Sequence, residues 1–367
     1  MAIIRTFQLR CSIAAAILVF GVFLVFGATT MAEEAKVTDA GEEALRRGDY
    51  DEAIRIYTQA IETGRLSADE QVIAHQNRGG AYFLSGRGDL AIADLNIVIQ
   101  LNPDKAGAYS NRGSAYCSVG QYDLGLADFN TQIRLIPNDP HDYYGRGSCY
   151  FKNSQYDRAI ADFDMAIRLK PDYTDALSNR GAGYIMIDKY DRALADFTAA
   201  IELIPNDAET LFNRGKTYIY TKQYDLAIAD FNEAIRLRPR YVKALHYRGN
   251  AYSVTGKYDQ AVADFNEVIR LDPKYSKAYY NRGNAHVQLG QDDLAIADYS
   301  EAIKLVPDDA EAFYNRGTLY FQGGDYERAT ADFDAAILYK KDYMIAYSAR
   351  GITRFILGRF REAAADF

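Results

Sequence analysis

A chain of 367 residues with 49% hydrophobic residues, 30 Tyr and 18 Phe holds too much apolar surface to remain disordered. Its net charge of −8 includes the first 32 residues, which carry Arg5 and Arg10 and no acid, so the remainder stands at −10 and argues against nucleic acid or an anionic membrane surface as the main partner. The three cysteines, Cys11, Cys117 and Cys149, match no metal-ligand spacing.

Residues 1–32 read as a leader. Arg5 and Arg10 precede an uncharged run from Cys11 to Ala28, and Thr29 to Ala32 then lead into Glu33 and Glu34. That is the order of a secretory signal, with Thr30 and Ala32 placed for cleavage. The same run is also long enough to span a bilayer, so an uncleaved membrane anchor over residues 11–28 is the alternative. Either way the repeats are expected to be exported, periplasmic or secreted, or held at the inner membrane outside the cytoplasm.

Residues 33–367 read as one repeat array. The stretch from Ala208 to Tyr241 begins again at Val242 with a period of 34, and repeats start at 34, 72, 106, 140, 174, 208, 242, 276, 310 and 344. The first carries four extra residues in its terminal loop and the last stops at Phe367, which makes nine complete repeats and a truncated tenth. A period of this length means stacked supersecondary units. Within a repeat, positions 4, 8 and 11 share one helical face and positions 17, 20, 24 and 27 share another, which predicts two helices joined by a tight turn. Position 15 is Gly in seven repeats and Ser154, Asp188 or Lys222 in the others, a place for a left-handed residue closing the first helix. Position 32 is proline from Pro103 to Pro307, which ends the second helix. Gly at position 8 and Ala at most of positions 20 and 27 allow close approach beside Tyr at 11 and 17 and Phe at 24. The fold class is therefore all-α, an α-solenoid of helix-turn-helix repeats.

Cys117 and Cys149 fall in the first helices of adjacent repeats, at positions 12 and 10. Two small buried thiols are the favoured reading; a disulfide is the alternative in an oxidising compartment. Position 7 is Arg and position 23 is Asp in the same nine repeats, and the first repeat lacks both. Pairing within a repeat leaves no residue over, which predicts structural ion pairs Arg112 with Asp128, Arg214 with Asp230 and Arg282 with Asp298. A bidentate contact of this kind sets helix register while adding little net stability.

Gly215, Tyr218, Ala227, Phe231, Ala234 and Pro239, at positions 8, 11, 20, 24, 27 and 32 of a 34-residue unit, resemble the tetratricopeptide repeat. The resemblance covers residues 34–367. It implies helix pairs stacked in a right-handed superhelix whose first helices line a concave groove for an extended or helical segment of another protein. The chain departs from the family in carrying Arg where Leu is usual at position 7, and His286 and Arg354 in place of Tyr at position 11. Groove positions implied by the resemblance place Asn77, Asn111, Asn179, Asn213, Asn281 and Asn315 at position 6, similar in this respect to the repeats of O-linked GlcNAc transferases. Asn offers a donor and an acceptor, so such a ladder can bond both backbone groups of an extended peptide. Phe83, Ile219 and Phe321 at position 12 and Tyr220 at 13 supply an apolar floor. A clamp for chaperone C-termini is incomplete, since His246, Asn250 and Asn281 are followed by Glu311 and Asn315 where cations are needed.

His75, His141, His246 and His286 have no partner at metal spacing, and no nucleophile elbow, phosphate loop or dinucleotide fingerprint occurs. No catalytic residue, metal, cofactor or small-molecule substrate is expected. The reading is a non-enzymatic scaffold of the bacterial cell envelope that binds extended protein segments. The alternative is the substrate-recruiting portion of a larger enzyme, such as a transferase, whose catalytic part lies beyond residue 367; self-association through the last repeat is a weaker expectation.

Overall fold

The structure, a computed structural model, describes residues 34–367; the leader, with its signal and anchor readings, lies outside the described residues. The chain divides after Pro205 into two compact bodies. The N-terminal body contains α1 (Glu34–Arg46), α2 (Tyr50–Glu62), α3 (Ala68–Leu84), α4 (Gly88–Leu101), α5 (Ala106–Ser118), α6 (Tyr122–Leu135), α7 (Pro140–Lys152), α8 (Tyr156–Leu169), α9 (Thr174–Met186) and α10 (Tyr190–Leu203). The C-terminal body contains α11 (Ala208–Tyr220), α12 (Tyr224–Leu237), α13 (Val242–Val254), α14 (Tyr258–Leu271), α15 (Ser276–Gln288), α16 (Asp292–Leu305), α17 (Ala310–Gln322), α18 (Tyr326–Tyr339), α19 (Met344–Ile356) and α20 (Phe360–Asp366). Odd-numbered helices are the first of each repeat and even-numbered ones the second. Within each body every helix packs on its sequence neighbours, and most first helices also touch the first helix of the next repeat in that body. No described helix is long and apolar enough to cross a membrane.

Side chains cap the N-termini of a minority of the helices. Ser67 and Glu70 form a reciprocal capping box on α3, and Asp139 caps α7 with Pro140 in its first turn. Between the two helices of each repeat the backbone turns through positive φ. Ser154, Asp188 and Lys222 adopt φ of 59°, 57° and 59° at the position that Gly fills elsewhere. They bear the steric cost because the turn geometry is imposed by the helices on either side.

The core is a run of aromatic rings set into small residues. Phe231 of α12 is fully buried, and a Cβ added at Gly215 of α11 would stand 2.8 Å from its Cε1. Phe163, Phe197, Phe265 and Phe333 hold the same position in their repeats and are equally buried. Ring-on-helix contact of this kind leaves no space for a side chain at position 8, which explains why glycine tolerates its helix penalty there.

Cys117 of α5 and Cys149 of α7 are joined as a disulfide, with Cα atoms 5.5 Å apart. This corrects the preference for two free thiols. The space comes from Gly125, which replaces the Ala found at position 20 in every other repeat; a Cβ there would collide with Cys117 Sγ.

Candidate peptide-binding groove

The first helices are held in register by an arginine ladder. Arg112 donates from Nε to Asp128 Oδ2 and from Nη2 to Asp128 Oδ1, each at 2.7 Å. Arg214 contacts Asp230 at 2.8 and 2.7 Å, and Arg282 contacts Asp298 at 2.9 and 2.5 Å. The arrangement recurs in all nine repeats that carry the pair. The remaining Nη1 commonly reaches back one repeat: Arg112 to Asn96 and Arg248 to Asn232 at 2.7 Å, Arg316 to Ser300 at 2.9 Å. Position 25 is Thr, Asn, Asp or Ser in each repeat that has a successor, a signal visible in the chain that the pairing of positions 7 and 23 did not use. Burial pushes the carboxyls of Asp162, Asp196 and Asp264 up, against the pull of their arginines. Asp94 is also buried, yet hydrogen bonds from Arg78 and His75 hold it below its usual range.

The two departures at position 11 join the same ladder. His286 is buried, with Nδ1 2.6 Å from Gln291 Oε1 and Nε2 3.7 Å from Asp298. Arg354 donates to Asp366 at 2.9 Å and to Asp334 at 3.3 Å. Both side chains replace a Tyr ring with a polar contact to the aspartate of their own repeat.

The expected ladder of free asparagines needs correction. Asn111 and Asn179 are only 2% and 7% exposed. Asn179 donates to Tyr144 Oη at 2.9 Å, Asn77 to Tyr57 Oη at 3.0 Å, and Asn281 to Asn250 Oδ1 at 2.8 Å. These amides tie a first helix to the repeat before it, because Tyr or Asn on the preceding repeat stands within reach. Asn213 and Asn315 are half-buried. On the expected floor, Phe83, Ile219 and Phe321 are half-buried, Tyr220 is exposed, and Phe321 sits edge-on to Tyr326.

His246, Asn250 and Asn281, the incomplete clamp, bond one another: Asn250 Nδ2 lies 3.2 Å from His246 Nε2. Burial, with Lys277 adding to it, pushes the His246 pKa down to about 4, so the ring is neutral at pH 7 and offers no cation to a carboxylate.

An open cavity of about 590 Å³ lies in the C-terminal body. Its walls come mainly from α13, α15 and α17, with Tyr258 of α14 and Tyr299 of α16, and include Val254, Val287 and Leu319, with Asn284, Asn315 and Thr318 as polar members. Asn284 Oδ1 accepts from Tyr299 Oη at 2.7 Å and from Asn315 Nδ2 at 3.3 Å; Asn315 Nδ2 also donates to Tyr280 Oη at 3.1 Å. Asn284, at position 9, was not among the residues anticipated for the groove. The signal was there in the Asn at position 9 of two successive repeats. Among the described residues no group of His, Cys, Asp and Glu has the geometry of a metal site. On α19 and α20, Met344, Phe355 and Phe360 present exposed apolar surface, as does Phe367 just after α20.

Paired helices locked by a repeating ion pair define an α-solenoid of helix-turn-helix repeats. Sequence models described as TPR repeat match residues 255–290 and 283–323, and two described as tetratricopeptide repeat match 142–173 with 208–241 and 38–106 with 314–367. The chain belongs to the tetratricopeptide repeat family. No curated protein matches it. Among solved structures it is similar to a tetratricopeptide repeat protein from Parabacteroides merdae, at 20% identity and a TM-score of 0.51, covering 68% of this chain and 98% of that one. It is also similar to the Cut9–Hcn1 hetero-tetramer of the APC/C, at 13% identity and a TM-score of 0.51 over 92% of this chain and 79% of that one. YrrB, titled a TPR protein with an unusual peptide-binding site, matches at 22% identity and a TM-score of 0.47 over 51% of this chain and 97% of that one.

Proposed function

We propose that the chain is a non-enzymatic scaffold that holds extended segments of partner proteins on the groove formed by its first helices. The observation that carries this reading is the open cavity between α13, α15 and α17, whose lining is uncharged and includes amides held in place by neighbouring hydroxyls. An extended strand brings one N–H and one C=O per residue to such a surface, and preset amides meet them at low entropic cost. Family membership supports a protein partner, and no feature of the site calls for a reacting group.

The test is an array of overlapping, unstructured peptides probed with the full chain and with a Val254→Glu, Gln322→Glu variant. Both positions are exposed, so the helical circular dichroism should not change. Two unpaired carboxylates at the rim of an uncharged groove should cut binding by roughly tenfold. Unaltered binding would remove the groove from the argument.

We also infer export to the bacterial cell envelope. The leader motivates it, and the Cys117–Cys149 disulfide supports an oxidising compartment. Residues 1–40 fused to a reporter active only outside the cytoplasm should give signal, and a silent fusion would sink this location.

A further inference from the structure

The second helices turn one face to solvent, and positions 19, 22, 26 and 29 of each repeat lie along it. This face normally carries charge. Glu52 and Arg55 pair at 2.6 Å on α2, Glu233 and Arg236 at 2.6 Å on α12, and Glu267 and Arg270 at 2.5 Å on α14. On α4 the same positions are Leu90, Ala93, Ile97 and Gln100, and Leu101 follows on that side. Every other second helix has at least one charged residue at these positions.

The apolar face continues onto α6, where Leu124, Ala127 and Leu135 are exposed. Two observations join the helices. Arg112 of α5 bonds Asn96 in the middle of α4 and Asp128 in the middle of α6, each at 2.7 Å. Gly88 stands where most repeats have Tyr, and it admits Val119, an exposed residue of the turn before α6, so closely that a Cβ there would lie 2.5 Å from Val119 Cγ1. Leu90 and Leu124 are 49% and 51% exposed, so the two helices together leave a broad apolar surface in water.

Spacing, symmetry and charge point to a second copy of the chain as what covers it. Leu90, Ala93, Ile97 and Leu101 fall at intervals of three, four and four, and Leu124, Ala127, Thr131 and Leu135 repeat them, which is the seam one helix offers another. Turned antiparallel about a two-fold axis near Leu95, α4 sets Ala93 opposite Ile97 of the second copy, small against large. The same rotation brings Arg87, exposed before the first turn, beside Asp104, exposed beyond the last. Two helices of 14 residues, each about 21 Å long, present on the order of 600–800 Å², near the ~800 Å² that each partner gives to a standard interface. We propose that the outer faces of α4 and α6 form an isologous interface with the same faces of a second copy, α4 lying antiparallel to its counterpart.

The experiment is sedimentation equilibrium of the full chain over a concentration series, and the parent should show the mass of two chains. Leu90→Arg with Ala93→Arg should weaken self-association by about a hundredfold, because like charges then meet across the axis. Other repeats carry arginine at these positions, as Arg158 and Arg55, so the helical circular dichroism should not change. Leu226→Arg, the equivalent change on α12, should leave the dimer intact. Arg87→Asp and Asp104→Arg should each weaken it about tenfold, and an equimolar mixture of the two variants should associate as tightly as the parent, since each supplies the charge the other has reversed. Arg87 also bonds Asp51 of its own chain, an exposed contact that contributes little to the fold. A monomer at every concentration, or a dimer indifferent to Leu90→Arg, Ala93→Arg, overturns the proposal. A mixture no tighter than either variant alone overturns the antiparallel arrangement. A monomer that sediments with phosphatidylcholine vesicles, and ceases to with Leu90→Arg, Ala93→Arg, assigns the face to lipid and overturns the dimer.

Discussion

Arg248→Ala should lower the stability of the C-terminal body by about 3–5 kcal/mol, the cost of stripping one partner from a buried ion pair. Arg248 gives Asp264 two hydrogen bonds, at 2.8 and 2.5 Å, and spends its third nitrogen on Asn232 of the preceding repeat. Asp264 is only 5% exposed, and burial already pushes its carboxyl above the usual range while the arginine is present. Without the arginine, a charged group remains in the interior with nothing to answer it, and Asn232 loses its bond as well. The midpoint of urea denaturation, followed by circular dichroism, measures the loss. The double variant Arg248→Met, Asp264→Leu should recover most of it, because removing both charges removes the desolvation cost along with the attraction. The single variant should also regain part of its deficit as pH falls through the raised Asp264 pKa, since protonation neutralises the stranded group. A loss below about 1 kcal/mol for the single variant would mean that the pair contributes no more than a surface contact.

The same ladder shows what a periodic chain discloses and what it conceals. Arg at position 7 and Asp at position 23 occur together nine times, so their pairing was legible from counting alone, as were the helix pairs and the turn at position 15. Position 25 escaped notice because Thr, Asn, Asp and Ser share no single identity, only the capacity to accept a bond from the next arginine. The asparagines at position 6 misled for a related reason. Their regular spacing says that they share a face of the first helices, but not how close the preceding repeat comes. Tyr57 and Tyr144 reach Asn77 and Asn179, and that distance depends on the stacking of one repeat against another. The disulfide was legible only as the alternative to two thiols, because it depends on Gly125, a residue 8 positions beyond Cys117 on a different helix.

Irregular positions are where function and cost concentrate. A repeat that follows the pattern packs as its neighbours do; one that breaks it must be compensated or must serve something. Gly88 and Ile97 break it on α4, and Gly125 breaks it at the disulfide. Gln132 and Asp142 break it together: position 27 is Ala in most repeats and position 3 is Ala in most, yet here an amide and a carboxyl meet at the junction of α6 and α7.

Asp142→Asn is expected to stabilise the protein at pH 7, by roughly 1–3 kcal/mol on the scale of 1.4 kcal/mol per unit of pKa shift. The carboxyl is 2% exposed and faces no cation; Gln132 Nε2 donates to its Oδ2 at 3.0 Å, Ser110 also bonds it, and Gln132 Oε1 is buried without a partner. Burial pushes its pKa up to about 6, and the nearby charge of Asp139 adds to the rise. A carboxyl raised in the folded state favours folding only while it is protonated. Its contribution is fully present below the unfolded value near 4, as for an ordinary Asp, and is lost as pH rises through the folded value of about 6. Asparagine copies the protonated form at every pH and brings an N–H that can serve the orphaned Gln132 Oε1. The difference in stability between variant and parent should therefore be small at pH 4, grow through pH 5 and 6, and level off above. Thermal melts across that range read it directly. A variant less stable than the parent at pH 7 would show that the ionised carboxylate is the form the fold prefers; the paired change Gln132→Ala, Asp142→Ala, which restores the residues most repeats carry, then separates a favourable charge from favourable packing.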